Sequence, residues 1–343
     1  MPSNHSESAP DPLCRPRVPF SFELYPARTA SGARALERTA DRLAATGPSF
    51  VSVTYGAGGS SRSASLDILR HLRQRTTAEP LAHLTCVGST HAEANRLVHE
   101  FLEAGVTRFL ALRGDPPADR PDDEPFLGEL GSAAELVQLI HRVQAEREPY
   151  GAVTVLPNAQ RVDVASRPRA QVAVAAFPNG HPRSRSRSQD IDALLAKEAA
   201  GAAFAITQLF FHPADYLRFV ERARAAGVTM PIIPGVMPVT SPERLRRMLE
   251  LSGEDLPADL AIALDVEPDD EARVRIGVEH AAAMVRTLVA GGAPAVHLYA
   301  FNRHEAVLGV LAESGLLPAP APFPTMSTPV GPPPITPTTE ESS

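Results

Sequence analysis

Only two cysteines occur in the 343 residues, Cys14 and Cys86. A single pair without CxxC or Cys/His spacing builds neither a zinc site nor a disulfide framework, and points to the reducing cytoplasm. There is no excess of positive charge either. Lys and Arg number 33 against 40 Asp and Glu, for a net charge of -7. Such a chain lacks the basic face of a nucleic-acid binder. No run approaches the ~20 apolar residues that a membrane-spanning helix needs. The first 17 residues are polar and contain proline, without the apolar stretch of a secretory signal. What the chain does have is 43% apolar residues, enough for a sizeable core.

Residues 1–17 and 318–343 are dense in Ser, Pro and other polar residues, and composition predicts disorder for both. Over 18–317, short β-rich runs alternate with amphipathic stretches. Strands are expected at 19–25, 50–55, 80–87, 108–113, 171–177, 204–211, 231–236 and 295–301. Helices are expected at 31–46, 61–76, 91–104, 133–147, 187–200, 213–226, 271–291 and 303–314. Gly47, Gly105, Gly201, Gly227 and Gly315 punctuate helix ends. Eight such repeats predict an α/β fold of parallel strands, the (β/α)8 TIM barrel, with an open doubly wound sheet as the alternative. A short extra helix at 241–251 falls inside the seventh loop. Residues 148–170 do not fit the repeat; a small hairpin of 152–155 with 161–165 is expected there, as a peripheral insertion or an oligomer contact.

In a barrel, chemistry sits where strands end and βα loops begin. Polar residues gather at those points. Strand one carries Glu23 and strand two ends in Thr54-Tyr55-Gly56-Ala57. His83 lies in strand three, Arg113-Gly114-Asp115 closes strand four, and Phe177 and His181 follow strand five. Gln208 interrupts an apolar run, and Arg303 follows the last strand. Glu23 flanked by apolar residues is either an ion pair inside the barrel or a functional acid whose pKa its surroundings raise. The glycines at 56, 58 and 59 do not complete G-x-G-x-x-G, since Ser61 takes the last position. His83 has no second ligand at metal spacing, so no metal is expected. Asp190 and Lys197, seven apart, share a helix face as a functional pair or a solvated one.

Six blocks in order carry a resemblance: Ser21-Phe22-Glu23, Phe50 to Ala57, His83 to Cys86, Ala111 to Asp115, Ala205 to Gln208, and Ile233-Pro234-Gly235. Together they resemble the methylenetetrahydrofolate reductase family in its bacterial single-domain form, over about residues 19–315. The resemblance implies an FAD-binding barrel in which NADH or NADPH serves to reduce 5,10-methylenetetrahydrofolate to 5-methyltetrahydrofolate for methionine synthesis. It implies that Glu23 is the general acid. Tyr55, Ala57, His83, Arg113, Gly114, Asp115, Ala133, Phe177, His181, Asp190 and Lys197 would contact FAD, and Thr54 the nicotinamide. Gln208 would meet nicotinamide and folate, and Asp115 and Arg303, with Glu23, would hold the folate. A homo-oligomer is expected.

The chain departs from the family pattern at Met248, where an aromatic residue is usual, at Arg244, which stands for a glutamine, and at Ser132, which stands for a tyrosine. Two rivals stay open: a flavin barrel acting on another substrate, and a flavin-free, non-catalytic paralogue.

Overall fold

A computed structural model describes residues 18–54, 62–115, 126–147, 170–252 and 254–317. In chain order the elements are β1 (Phe20–Leu24), α1 (Ala30–Ala44), β2 (Val51–Val53), α2 (Arg62–Arg75), β3 (Pro80–Thr85), α3 (His91–Glu103), β4 (Arg108–Leu112) and α4 (Ala133–Arg147). There follow β5 (Gln171–Ala176), α5 (Arg187–Ala199), β6 (Phe204–Thr207), α6 (Pro213–Ala225), β7 (Ile232–Ile233) and β8 (Gly235–Val236). The chain continues through α7 (Pro242–Ser252), α8 (Ala258–Val266), α9 (Asp270–Ala290), β9 (Val296–Tyr299) and α10 (His304–Glu313).

All strand pairs are parallel, in the order β7-β6-β5-β4-β3-β2-β1-β9-β8. The two ends of that order, β7 and β8, are consecutive in the chain and separated only by Pro234. They are one barrel strand broken in the middle, so the sheet closes on itself as the eight repeats predict. Pro234 has no N–H to give to a ladder, but its carbonyl accepts the His297 N–H at 2.9 Å. Gly235 turns its own N–H to the Thr207 hydroxyl at 2.9 Å. A Cβ at Gly235 would lie 2.6 Å from the Thr207 carbonyl and 2.6 Å from the Tyr299 ring, so only glycine fits there.

Successive strand residues point to opposite faces, and the core divides accordingly. Phe20, Phe22 and Leu24 of β1, with Val51 and Val53 of β2, pack outward under the helices. Phe50, Leu81, Leu110, Phe204 and Ile233 fill the lower barrel interior. Above them, the inward residues of β1, β3 and β9 include Ser21, Glu23, His83 and His297, all four buried and polar. Helix starts are capped as their sequences suggest. Thr90 and Glu93 form a capping box on α3, and Thr29, Ser186 and Asp269 accept backbone N–H groups at α1, α5 and α9. The five expected helix-ending glycines all have φ between +75° and +104°.

Three expectations need correction. Strand two stops at Val53 rather than 55, and strand six at Thr207 rather than 211. In the latter the Gln208 side-chain carbonyl accepts the next residue's N–H at 2.9 Å, a local turn that competes with a ladder. The seventh loop holds two helices, not one. α8 reads apolar at almost every position, so it has no 3.6-residue stripe to reveal it. It buries Leu260 and Leu264 in a satellite core with Met248, Met237 and Phe211. The proposed hairpin at 152–155 and 161–165 and both terminal segments lie outside the described residues. No described helix is long and apolar enough to cross a membrane.

Candidate active site

Glu23 stands at the centre of the upper interior. Its Oε2 lies 3.5 Å from His83 Nε2 and 3.6 Å from His297 Nε2. The other ring nitrogen of His297 is 2.8 Å from the Ser21 hydroxyl. Ser21 and His297 are register partners on adjacent strands, which fixes this contact in the backbone. Ser52 Oγ, His83 Nε2 and His297 Nε2 are buried without a hydrogen-bond partner among the described residues. Such a polar pit is suited to receive a polar ligand.

The apolar neighbours of Glu23 in sequence do not set its pKa. Phe22 and Leu24 face the helices, while Glu23 faces the imidazoles across the barrel. Burial alone would push the carboxyl up. The two imidazoles that face it, His297 first and then His83, outweigh burial and hold Glu23 below the ordinary range. The expectation of a raised pKa is therefore corrected, because the imidazoles facing the carboxyl outweigh its burial. Burial also lowers His83, with Glu23 opposing. Tyr299 and Tyr25 are raised, first by burial and then by the Glu23 charge.

A second group lies between β4 and α5. Arg113 and Asp115 follow β4, and Gly114 between them has φ +82°; a Cβ there would lie 2.5 Å from Val87. Asp190 accepts the Ser184 hydroxyl at 2.6 Å and the His181 N–H at 3.3 Å. Lys197 donates to the Ala175 carbonyl at 2.7 Å and sits 6.0 Å from the Phe177 ring centroid. Phe177 meets His181 edge-on, centroids 4.8 Å apart. Burial pulls the Lys197 ammonium down to about 8, with Asp190 opposing and Arg113 reinforcing. Burial likewise lowers His181, and the charges of Arg113, Asp115, Asp190 and Lys197 all reach it. Lys197 is thus not half of a solvated surface pair. Arg113 Nη2 and Asp190 Oδ2 are buried and unpartnered among the described residues.

Most of the other expected site residues border the same mouth. Thr54 follows β2, donating its N–H to the Leu24 carbonyl and accepting the Ser65 hydroxyl at its own carbonyl. Ala133 begins α4, beside Ser132, whose hydroxyl donates to Glu135. Gln208 follows β6 and Arg303 precedes α10. Tyr55 and Ala57 lie outside the described residues. Sequence reasoning passed over His297 and Phe126, and gave Ser21 no role of its own. Phe126 has the guanidinium carbons of Arg113 and Arg183 at 5.7 and 5.1 Å from its ring centroid. His297 was legible in one respect: in Val-His-Leu-Tyr, period two puts it on the same face as Tyr299.

Among the described residues, no group of three or more His, Cys, Asp or Glu is placed to hold a metal ion. What the two groups can do together is move a proton at the Glu23 end and hold an extended anionic ligand at the Arg113–Lys197 end.

Residues 13–315 match a family model described as methylenetetrahydrofolate reductase. Methylenetetrahydrofolate reductase (NADH) 1 of Zea mays is 30% identical over 311 residues, 88% of this chain and 49% of that protein. The 5,10-methylenetetrahydrofolate reductase of Escherichia coli (strain K12) is 31% identical over 303 residues, 88% of this chain and 92% of that protein. The chain therefore spans about half the length of the plant relative and nearly all of the bacterial one. A solved structure of an uncharacterized protein from Clostridium thermocellum, which binds two copies of 5-methyl-5,6,7,8-tetrahydrofolic acid, shares the fold. Its TM-score is 0.55 at 11% identity, covering 88% of this chain and 96% of that one.

Proposed function

The chain belongs to the methylenetetrahydrofolate reductase family, and from that premise we propose that it reduces 5,10-methylenetetrahydrofolate to 5-methyltetrahydrofolate with NADH or NADPH and bound FAD. Its product would feed methionine synthesis. What carries the proposal is the placing of Glu23, a buried carboxyl at the barrel mouth with two imidazoles within 3.6 Å of it.

The described residues fit a dinucleotide cofactor. Two buried polar atoms, Arg113 Nη2 and Asp190 Oδ2, await partners. Lys197 supplies a second cation beside Arg113, suited to a diphosphate, and Asp190 an acceptor suited to ribose hydroxyls. The backbone at Gly114 is bare of side chain, which lets a flat ring approach. FAD, when bound, supplies the hydride chemistry between nicotinamide and folate.

The protein's own part is acid catalysis and positioning. The five-membered ring of the folate must open to an iminium before it takes hydride, and opening needs a proton on the leaving nitrogen. Protonated Glu23 gives it. Its low pKa makes it a strong acid that is scarce at neutral pH. The imidazoles of His83 and His297 stand within 3.6 Å of it and face the carboxyl from either side. Ser21 fixes the ring orientation of His297. The Gln208 amide and the Asp115 carboxylate match the paired donors and acceptors of a pterin ring. Arg303 meets a carboxylate of the folate tail.

The visible spectrum of the purified protein, taken with an assay of NADH oxidation dependent on methylenetetrahydrofolate, tests the proposal. A flavin spectrum and folate-dependent turnover are expected. A colourless protein that takes up no added FAD would remove it.

A further inference from the structure

One pair of helices at the barrel mouth is not part of the eight repeats. α7 and α8 leave from the end of β8 and return at α9. Their apolar residues Leu245, Met248, Leu260 and Leu264 do not join the main core. They gather with Phe211, Met237 and Val239 in the satellite core, flanked by Tyr299 and Phe301. The pair thus rests on the loops after β6, β8 and β9, on the rim of the mouth. A module with so small a core of its own is among the first to open locally.

A polar contact ties its far end to the rest of the barrel. Glu254 sits in the link between α7 and α8. The Asn179 amide, in the β5–α5 loop, donates to Glu254 Oε2 at 2.6 Å and to Asp215 Oδ2 at 3.0 Å. Asn179 is fixed in turn. Gly180 beside it has φ +98° and gives its N–H to the Phe177 carbonyl at 3.2 Å. Arg222 of α6 donates to the Pro178 carbonyl at 3.4 Å. Asp215, in the first turn of α6, is held by Arg218 at 2.6 Å.

Two carboxylates therefore converge on one neutral nitrogen, and of the two Asp215 has the cation. Glu254 has no ion pair among the described residues. Asp215 on α6 and Asp255 in its own link oppose its ionisation, and His212 at the head of α6 favours it. His280 of α9 faces His212 in turn. Burial first, then Asp215 and Asp255, raise Glu254 above its ordinary 4.5. A proton there ends the like-charge repulsion and supplies a donor to the Asp215 carboxylate, a charge-assisted hydrogen bond. The hold is complete below the ordinary value and is lost as pH rises through the raised one.

We propose that α7 and α8 form a lid on the rim of the mouth, and that Glu254, Asn179 and Asp215 are a clasp that a proton on Glu254 closes. The clasp stands whatever the mouth binds. Its sign is opposite to that of the barrel beneath. Burial holds His83 low, so acid that charges it loosens the barrel, while the same acid tightens the lid.

Hydrogen exchange read by mass spectrometry on the full chain, corrected for the intrinsic rate at each pH, follows both. From pH 7.5 to pH 5 the amides of α7 and α8 are expected to gain protection about fivefold in the wild type, while those of β1 and β3 gain none. Glu254→Gln has the shape of the protonated acid and N–H donors of its own, and should protect α7 and α8 equally at both pH values. Asn179→Asp sets a third carboxylate between the two and should lower their protection at pH 7.5. Should that variant fail to fold by circular dichroism, Glu254→Gln against the wild type decides. Protection of α7 and α8 that does not rise on acidification of the wild type overturns the clasp. So does a rise that survives in Glu254→Gln, which would assign it to His212 or His280. A rise shared equally by α3 and α4 would be global and would overturn it as well.

Discussion

Glu23 shows how a strand decides the company a side chain keeps. Its neighbours in sequence are apolar, yet its neighbours in space are His83 and His297. Glu23→Gln, nearly isosteric and uncharged, should leave reduction of the flavin by NADH close to wild type and slow its reoxidation by methylenetetrahydrofolate by about 10²–10⁴-fold. Rapid-mixing measurement of the two half-reactions checks this, and equal slowing of both would make Glu23 structural. The same cluster sets acid sensitivity. His83 is held below its ordinary 6.5, so the unfolded chain binds a proton there that the folded one resists. Stability is then complete above about that value and falls as pH drops through it. Glu23 is held below 4.5, so its contribution is present above that value and is lost at lower pH still. The thermal midpoint should decline in two stages on acidification, and His83→Gln should shrink the upper one, to which His181 and His280 also contribute. A midpoint that is flat from pH 7 to 5 in the wild type would contradict this. Of the site, the acid, the cations and the Asp190–Lys197 pair were legible as polar residues at strand and helix positions where a barrel concentrates chemistry. His297 was not, because a lone histidine in an apolar strand reads as core until the strand beside it is known. That knowledge came from the β1–β9 pairing, 276 residues apart in the chain.

At the scale of elements, the helices announced themselves and the broken strand did not. Periodicity, caps and glycines located every helix of the main repeat to within a residue or two. α8 escaped because Ala258–Val266 is apolar on all sides, and Ile262 and Val266 remain 62% and 72% exposed. Propensity cannot tell such a segment from a buried strand. The segment 231–236 was read as one strand, and Pro234 splits it. Gly235 beside it is the element's most constrained position. Gly235→Ala would push a methyl into the Thr207 carbonyl and the Tyr299 ring, and overpacking of this kind costs about 1–3 kcal/mol. A lower thermal midpoint with the flavin spectrum retained is expected from denaturation scans. An unchanged midpoint would mean that the neighbouring strands yield freely.

Across the whole molecule, eight β/α repeats were enough to identify the barrel, but not where its ring is joined. Closure rests on two short ladders. β6 and β7 share two register pairs, as do β8 and β9, whereas β3 and β4 share five. The Tyr299 hydroxyl spans the break, donating to the Thr207 carbonyl at 2.7 Å. Opening free energies within one fold differ by the number of bonds each unit must break. The amides of Ala205 and His297, bonded to Pro231 and Pro234, should therefore exchange with deuterium sooner than those between β3 and β4. Tyr299→Phe should hasten them further, and equal protection around the ring would refute this. His297 belongs to this joint through its backbone and to the Glu23 cluster through its ring, so opening of the ring at this strand would also part contacts around the acid.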